Sequence, residues 1–180
     1  MKTVNDPEFV IKDSYSDYTY QKELTDELDR IKDDFNYELL HKIVLWKLNR
    51  FPLVNEETLE LLNQITKEQR TLNVELTKQI LSRLLDSKGI QLAMASTILR
   101  FKNPYVYQII DQRVYRLLNG EKMDKLTKLS KDEQIESYLT YLEDLQKACT
   151  RINIPFHISD RILYMADKDI NKYIKLDSYG

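Results

Sequence analysis

The segment from Lys88 to Arg116 constrains the fold more than any other part of the chain. It reads KGIQLAMASTILRFKNPYVYQIIDQRVYR, and it joins a glycine turn, a helix of small side chains, a proline loop and one acid placed directly before another helix. Five basic residues stand there against one acid, giving a net charge of +4 in a chain whose total is −2. A single carboxylate, Asp111, in a basic strip of an acidic protein is a candidate functional residue.

The rest of the chain is also predicted to be helical. Three glycines and four prolines in 180 residues leave few turns, and apolar residues recur at helical spacing. We therefore predict an all-α fold of about eight helices, with an irregular N-terminal arm at 1–17 and a single domain at 18–180. The predicted helices are 37–48, one opening at Asn55, one starting near Asn73, 91–101, 111–118, 132–152, and one capped by Ser159 and Asp160 that reaches about Lys175.

Composition excludes several classes of function. With a net charge of −2, the chain as a whole is not attracted to nucleic acid or to an anionic membrane. Any DNA binding must therefore come from the basic segment between Lys88 and Arg116. One cysteine, Cys149, forms no internal disulfide and holds no iron–sulfur cluster, and His41 and His157 lack metal-ligand spacing. We expect no metal and no cofactor. Without a signal peptide or a long apolar run, we expect a cytoplasmic protein with no membrane partner.

The glycine turn has a physical use. A tight turn at Gly89 between two helices leaves backbone amides at the N-terminus of the second helix facing outward, where they and the helix dipole favour a phosphate. Small side chains at Ala93, Ala95 and Ser96 let the two helices cross closely. Ordinary close packing is the alternative explanation for those small residues.

These residues resemble a known motif. The chain is similar here to the helix-hairpin-helix DNA glycosylase superfamily of base excision repair, which shows a Leu-Pro-Gly-Val-Gly-x-Lys-x-Ala hairpin and, roughly eighteen residues later, a Val-Asp-x-His-Val segment with a catalytic acid. The run from Lys88 to Ala95 stands in the hairpin position, and the run from Ile110 to Val114 stands in the acid position. The resemblance covers about 30 residues.

Four departures limit which functional residues the resemblance implies for this chain. Ala93 occupies the position of the Schiff-base lysine, so a lyase step by that route is not expected, and the four cysteines of the cluster-bearing branch are missing. Gln91 replaces the second hairpin glycine. Arg113 replaces the histidine after the acid, and we expect it to contact DNA phosphate or to pair with Asp111. The implied enzyme is a monofunctional glycosylase acting on double-stranded DNA.

The resemblance also implies roles for individual residues. Asp111 would stabilise the positive charge that develops on the sugar as the N-glycosidic bond of a flipped base breaks. Aromatic residues near the site would supply the base pocket, namely Phe101, Tyr105 and Tyr107. The DNA contacts would come from Lys88, Gly89, Gln91, Arg100, Lys102 and Arg113.

Other interpretations remain open from the sequence. An Asp at a helix start is a favoured N-cap, so a structural role alone explains Asp111. The chain as a whole is also compatible with a catalytically inactive DNA-binding relative. The competitor from another class is a non-enzymatic helical interaction module that docks a protein partner through its acidic surface. A basic groove beside Asp111 would favour the enzyme, and an acidic surface around Asp111 with an exposed apolar patch elsewhere would favour the module.

Overall fold

The structure is a computed structural model that describes residues 21–31, 36–48 and 52–176. Within these ranges it contains helices and no strand, which confirms the predicted all-α class. The predicted arm at 1–17 lies outside the described residues. The helices are α1 (Lys22–Asp29), α2 (Tyr37–Lys47), α3 (Glu56–Asn63), α4 (Val74–Asp86), α5 (Leu92–Lys102), α6 (Gln112–Asn119), α7 (Lys131–Ile152) and α8 (Ser159–Ile170), with short 3-10 helices at Met123–Lys128 and Phe156–Ile158.

The chain divides into two compact units, Met1–Phe51 and Pro52–Gly180. In the first unit, α1 packs on α2 through hydrogen bonds as well as apolar contacts. The indole Nε1 of Trp46 donates to Thr25 Oγ1 at 2.8 Å, and Gln21 Nε2 donates to the Trp46 carbonyl at 2.7 Å. The first bond satisfies the polar edge of a large side chain whose body is partly buried, and the second satisfies a backbone carbonyl of α2.

The second unit is built around α7. This helix of 22 residues presents one apolar face to the core, and its buried side chains recur three or four positions apart. Against it pack α4, α6 and the two 3-10 helices, and α5 packs on α4. The largest fully buried apolar side chains of this unit include Ile65, Ile80, Leu81, Leu84, Leu99, Tyr107, Ile110, Tyr138 and Leu145. Each such aliphatic side chain contributes about 1.5–3 kcal/mol by leaving water.

Side-chain caps set most helix starts where the sequence predicts them. Asn55, Asn73 and Asp111 each accept a hydrogen bond from the backbone amide three residues later. Ser130 forms a complete capping box with Glu133, so α7 begins one residue before the predicted start.

The predicted cap of α8 is wrong. Its N-cap is Ile158, which makes no side-chain cap, while the Ser159 hydroxyl bonds back to the Phe156 carbonyl at 2.8 Å. A preceding 3-10 turn supplies the start of this helix in place of a side chain. The helix ends at Ile170 and falls short of the predicted Lys175.

The helices α4 and α5 form a hairpin with a tight turn between them. Gly89 has φ of +84°, a left-handed conformation that glycine adopts without steric cost, and the Ile90 amide closes the turn on the Ser87 carbonyl at 3.2 Å. Gln91 is the N-cap of α5, and its side chain makes no capping bond. The predicted glycine turn is therefore present.

Across the three described ranges, no helix combines the length and apolar character that a membrane crossing needs.

Candidate functional site

Asp111 stands at the N-terminus of α6. Its Oδ1 accepts hydrogen bonds from the backbone amides of Arg113 at 2.7 Å and Val114 at 2.9 Å. The carboxylate is therefore an N-cap, which confirms the structural interpretation of this residue. Capping occupies one carboxylate oxygen with these two bonds and is compatible with chemistry at the other oxygen.

Bonds from two helices fix the loop that carries Asp111. The Ser96 hydroxyl on α5 accepts a hydrogen bond from the Ile110 amide at 3.2 Å. On the α7 side, Tyr141 donates to the Ile109 carbonyl at 2.7 Å and Tyr138 donates to the Gln108 carbonyl at 2.9 Å. Three consecutive loop residues are thus tied to the hairpin and to the core helix, and the position of Asp111 is set by both.

The environment of Asp111 raises the pKa of its carboxyl above the ordinary value. Burial is the main cause, because it removes water from the charged form, and the negative charge of nearby Asp160 acts in the same direction. The amide bonds from Val114 and Arg113 oppose the shift without cancelling it. A partly buried carboxylate with a raised pKa is a feature that catalytic acids share, although structural acids also show it.

The two arginines nearest the site are engaged elsewhere. Arg113 Nη1 binds Asp167 Oδ2 at 3.1 Å, so its ion pair is with Asp167, and its charge is a minor influence on Asp111. Arg100 is 6% exposed, and its Nε lies 3.2 Å from Asp160 Oδ2. The expected pairing of Arg113 with Asp111 does not appear among the ion pairs, and burial of Arg100 does not support a phosphate contact by that residue.

The remaining predicted DNA contacts lie at the surface. Lys88, Gly89 and Gln91 are exposed around the hairpin turn at the N-terminus of α5. Lys102 lies at the other end of that helix, where its Nζ donates to Asn63 Oδ1 at 2.7 Å. The eleven residues of α5 separate the two groups by about 16 Å.

The predicted base-pocket residues are not brought together. Tyr107 is 2% exposed, and its hydroxyl lies 2.9 Å from Thr77 Oγ1 inside the core. Phe101 and Tyr105 are exposed at the C-terminal end of α5. These three residues therefore do not line one cavity, and the role of Tyr107 as a pocket wall is not supported by its contacts.

A cleft lies beside the hairpin. It has a volume of about 260 Å³ and is bordered by the 87–91 turn, α5 and the start of α7, with Gln91, Ala93 and Lys131 among its lining residues. Ala93, the position where the resemblance places a Schiff-base lysine, thus faces an open cleft. Asp111 is not one of the residues that line it.

Sequence reasoning missed two buried polar residues beside Asp111. Gln108 is fully buried and binds the Pro104 carbonyl through Nε2 at 2.6 Å, and its Oε1 accepts the Asp160 amide at 3.4 Å. Asp160 is 4% exposed and was interpreted only as a helix cap. No local pattern indicates these contacts, since Asp160 is far from Asp111 in sequence and reaches it only through the packing of α8.

Comparison with known proteins yields no relative: no family model, curated protein or solved structure matches the chain. In the described ranges, no group of three or more His, Cys, Asp or Glu side chains is arranged to hold a metal ion. The functional argument therefore depends on the geometry of the chain itself.

Proposed function

We propose that the second unit binds duplex DNA through its helical hairpin and hydrolyses the N-glycosidic bond of a flipped modified base, with Asp111 as the catalytic carboxylate. The observation that carries the proposal is the bond from the Ile110 amide to Ser96 Oγ. It ties the residue before Asp111 to the hairpin's second helix, five residues, or about 7 Å, from its N-cap. In this proposal, α5 positions both the phosphate, which binds at its N-terminus, and the acid that acts on a neighbouring sugar.

The proposal uses a reduced set of DNA contacts. Lys88 offers positive charge and the first-turn amides of α5 offer hydrogen-bond donors at the N-terminus of that helix, because no side chain caps it. Lys102 adds charge at the far end. Arg100 and Arg113 hold Asp160 and Asp167, respectively, and serve the packing of α8. With few phosphate contacts, we expect weak binding whose salt dependence is modest, about one unit of slope for each contact.

The chemistry assigned to Asp111 needs only its charge and its position. As the bond from the anomeric carbon to the base breaks, the electron pair leaves with the base and positive charge develops on the sugar. A carboxylate in a partly dehydrated setting stabilises that charge more than one in bulk water. Water then adds to the anomeric carbon, and the proton it releases is taken up by the departed base, leaving a free base and an abasic site. Because Ala93 offers no amine, the reaction stops there.

One experiment tests this function. Full-length protein is incubated with duplexes that each contain one modified base, and half of each sample is then treated with alkali. We expect strand breaks from at least one duplex only after alkali, and none with Asp111→Asn. Borohydride should trap no covalent adduct. Duplex binding without base release from any substrate would identify an inactive DNA-binding relative and remove the enzymatic proposal.

The second candidate is the helical interaction module, and one observation favours it. The last helix and the turn after it expose apolar side chains at helical spacing, namely Ile162, Met165, Ile170 and Tyr173. If this face docks a protein, Met165→Glu should abolish that association and leave duplex binding unchanged. Unaltered base release by Met165→Glu would show that the apolar face is separate from the DNA site.

Both candidates keep the cytoplasmic location expected from the sequence.

A further inference from the structure

Five side chains at the C-terminal end of α5 form a continuous series of cations and rings. The Arg70 guanidinium lies 4.2 Å from the Tyr105 ring centroid, and Tyr105 stacks on His157 at 5.2 Å. The His157 carbonyl accepts a bond from Arg100 Nη2 at 3.4 Å, and the Arg100 guanidinium lies 5.2 Å from the Phe101 ring centroid. We call this series the aromatic–cation ladder. The two guanidinium-to-ring contacts fall within the range at which cations and π faces attract, and ring stacking and the backbone carbonyl of His157 join them.

The ladder is open to solvent. Phe101 is 63% exposed, Tyr105 is 45% exposed, and Arg70 is exposed as well. Single exposed apolar side chains are common on protein surfaces and need no explanation. Here two exposed rings belong to one connected series with cations, and that combination is what a ligand with flat faces and negative charge requires.

Hydrogen bonds hold the ladder in place without any ligand. Asn103 is fully buried and donates from Nδ2 to the carbonyls of Thr66 at 2.7 Å and Gln69 at 3.0 Å, while its Oδ1 accepts the Tyr105 amide at 2.9 Å. Arg70 Nη1 in turn donates to the Gln69 carbonyl at 2.9 Å. The loop that carries Arg70 and the turn that carries Tyr105 are thus fastened together. A preorganised surface loses less conformational entropy when it binds.

The charge around the ladder is positive. Lys67, Arg70 and Lys102 contribute three cations on the surface, and Glu68 is an exposed acid in the same loop. Arg100 is balanced by Asp160 and adds no net charge. A polyanion is therefore favoured over a neutral or cationic partner.

We propose that the aromatic–cation ladder binds single-stranded nucleic acid. Unpaired bases stack on the exposed ring of Phe101 and on the Arg70 guanidinium, which lies over Tyr105, and the phosphates between them pair with Lys67 and Lys102. A duplex fits this surface less well because its bases already stack on one another and hide their faces. An acidic peptide would satisfy the cations and leave the rings without partners. The length of α5 separates this surface from the hairpin turn, and Lys102 is the residue that the two proposed sites share.

Fluorescence anisotropy with full-length protein tests the proposal. The probes are a labelled oligothymidylate, a duplex of the same length, a sugar–phosphate strand of that length without bases, and polyglutamate. We expect the oligothymidylate to bind most tightly and Phe101→Ala to weaken it by roughly 5- to 100-fold, the loss expected when one base-stacking contact is removed. Phe101→Trp should restore binding, because it restores the ring face. Arg70→Gln should weaken binding and lower its dependence on salt.

Matched controls separate this surface from the rest of the molecule. Tyr173→Ala removes a ring that is 87% exposed outside the ladder, and Lys147→Gln removes an exposed cation on α7. Neither should change the affinity for oligothymidylate. Lys88→Ala should also leave it unchanged, because Lys88 belongs to the proposed duplex site. Circular dichroism melting verifies that each variant is folded, and the exposure of Phe101 makes its substitution tolerable.

Two results would overturn the proposal. One is equal affinity for the strand without bases or for polyglutamate, which would reduce the surface to a general anion site. The other is unchanged oligothymidylate binding by folded Phe101→Ala. Absence of base release in the glycosylase assay would leave the proposal standing, since single-strand binding by the ladder requires no catalysis by Asp111.

Discussion

Arg116 on α6 donates two hydrogen bonds to Asp167 on α8, from Nε to Oδ1 and from Nη2 to Oδ2, each 2.7 Å long. Arg113 and Asn171 donate to the same carboxylate at 3.1 Å and 2.8 Å. The Asp167 side chain has no exposed surface. This network fastens α6, the helix that Asp111 caps, to α8.

Removing the acid from this network should destabilise the protein. We expect Asp167→Ala to lower the free energy of unfolding by about 1.5–3 kcal/mol, because it removes a buried carboxylate that accepts charged hydrogen bonds from two partly buried guanidinium groups. Asp169→Ala, at an exposed acid on the same helix, is the matched control and should change stability by less than about 0.5 kcal/mol. Urea unfolding followed by circular dichroism measures both. Equal effects of the two substitutions would show that the network contributes nothing.

The pH dependence of stability should differ in sign between Asp167 and Asp111. Although burial raises the pKa of Asp167, hydrogen bonds from Arg116, Asn171 and Arg113 outweigh it, so the pKa is lowered. Its stabilisation is therefore present above the unfolded value of about 3.9 and is lost as pH falls below it. The pKa of Asp111 is raised by burial, so ionising it costs stability as pH rises through about 3.9.

Unfolding at a series of pH values tests these two signs. The stability lost in Asp167→Asn, relative to wild type, should shrink as pH falls from 7 to about 3. The stability lost in Asp111→Asn should instead grow over the same interval, because the wild-type carboxyl becomes protonated and no longer carries a buried charge. The same trend in both variants would contradict the assigned directions.

Capping and catalysis by Asp111 are separable by substitution. Asn caps a helix about as well as Asp but carries no charge, whereas Ala loses both functions. We expect Asp111→Asn to unfold within about 1 kcal/mol of wild type near neutral pH, to bind duplex DNA, and to release base at least roughly a hundredfold more slowly. Asp111→Ala should be equally inactive and also less stable by about 0.5–2 kcal/mol. Full activity in Asp111→Asn would exclude this carboxylate from the mechanism.

Duplex binding should depend on the lysines at the two ends of α5. We expect Lys88→Ala and Lys102→Ala each to reduce the salt dependence of the duplex binding constant by about one unit of slope, the effect of losing one phosphate contact. Lys147→Gln, on α7, serves as the control and should leave the slope unchanged. Identical slopes for wild type and the double variant across a salt series would rule out these contacts.

Asn103 links fold stability to the aromatic–cation ladder. Asn103→Ala removes three hydrogen bonds and leaves buried backbone groups unsatisfied, so we expect a loss of at least about 2 kcal/mol in unfolding free energy. Folded Asn103→Ala should also bind oligothymidylate more weakly, because the loop that carries Arg70 is released from the turn. Asn63→Ala, at an exposed position, should affect stability by less than about 0.5 kcal/mol. Wild-type stability in Asn103→Ala would contradict this account.

The sequence by itself determined the helices and most of their starts. Apolar side chains at helical spacing, asparagine caps at Asn55 and Asn73, and the Gly89 turn are local features, and local energies decide them. The position of Asp111 as the first residue before α6 was predictable for the same reason. The start of α8 was not, because a 3-10 turn replaced the expected side-chain cap.

Only the tertiary structure decided what the charged and aromatic residues do. Arg100 and Arg113 are equally plausible phosphate ligands in the sequence, but packing of α8 brings Asp160 and Asp167 to them and commits both arginines to ion pairs. Tyr105 and Tyr107 are two residues apart, yet one ring faces solvent and the other is buried against Thr77. Burial and pairing depend on contacts between residues distant in sequence, so they are fixed by packing and carry no local pattern.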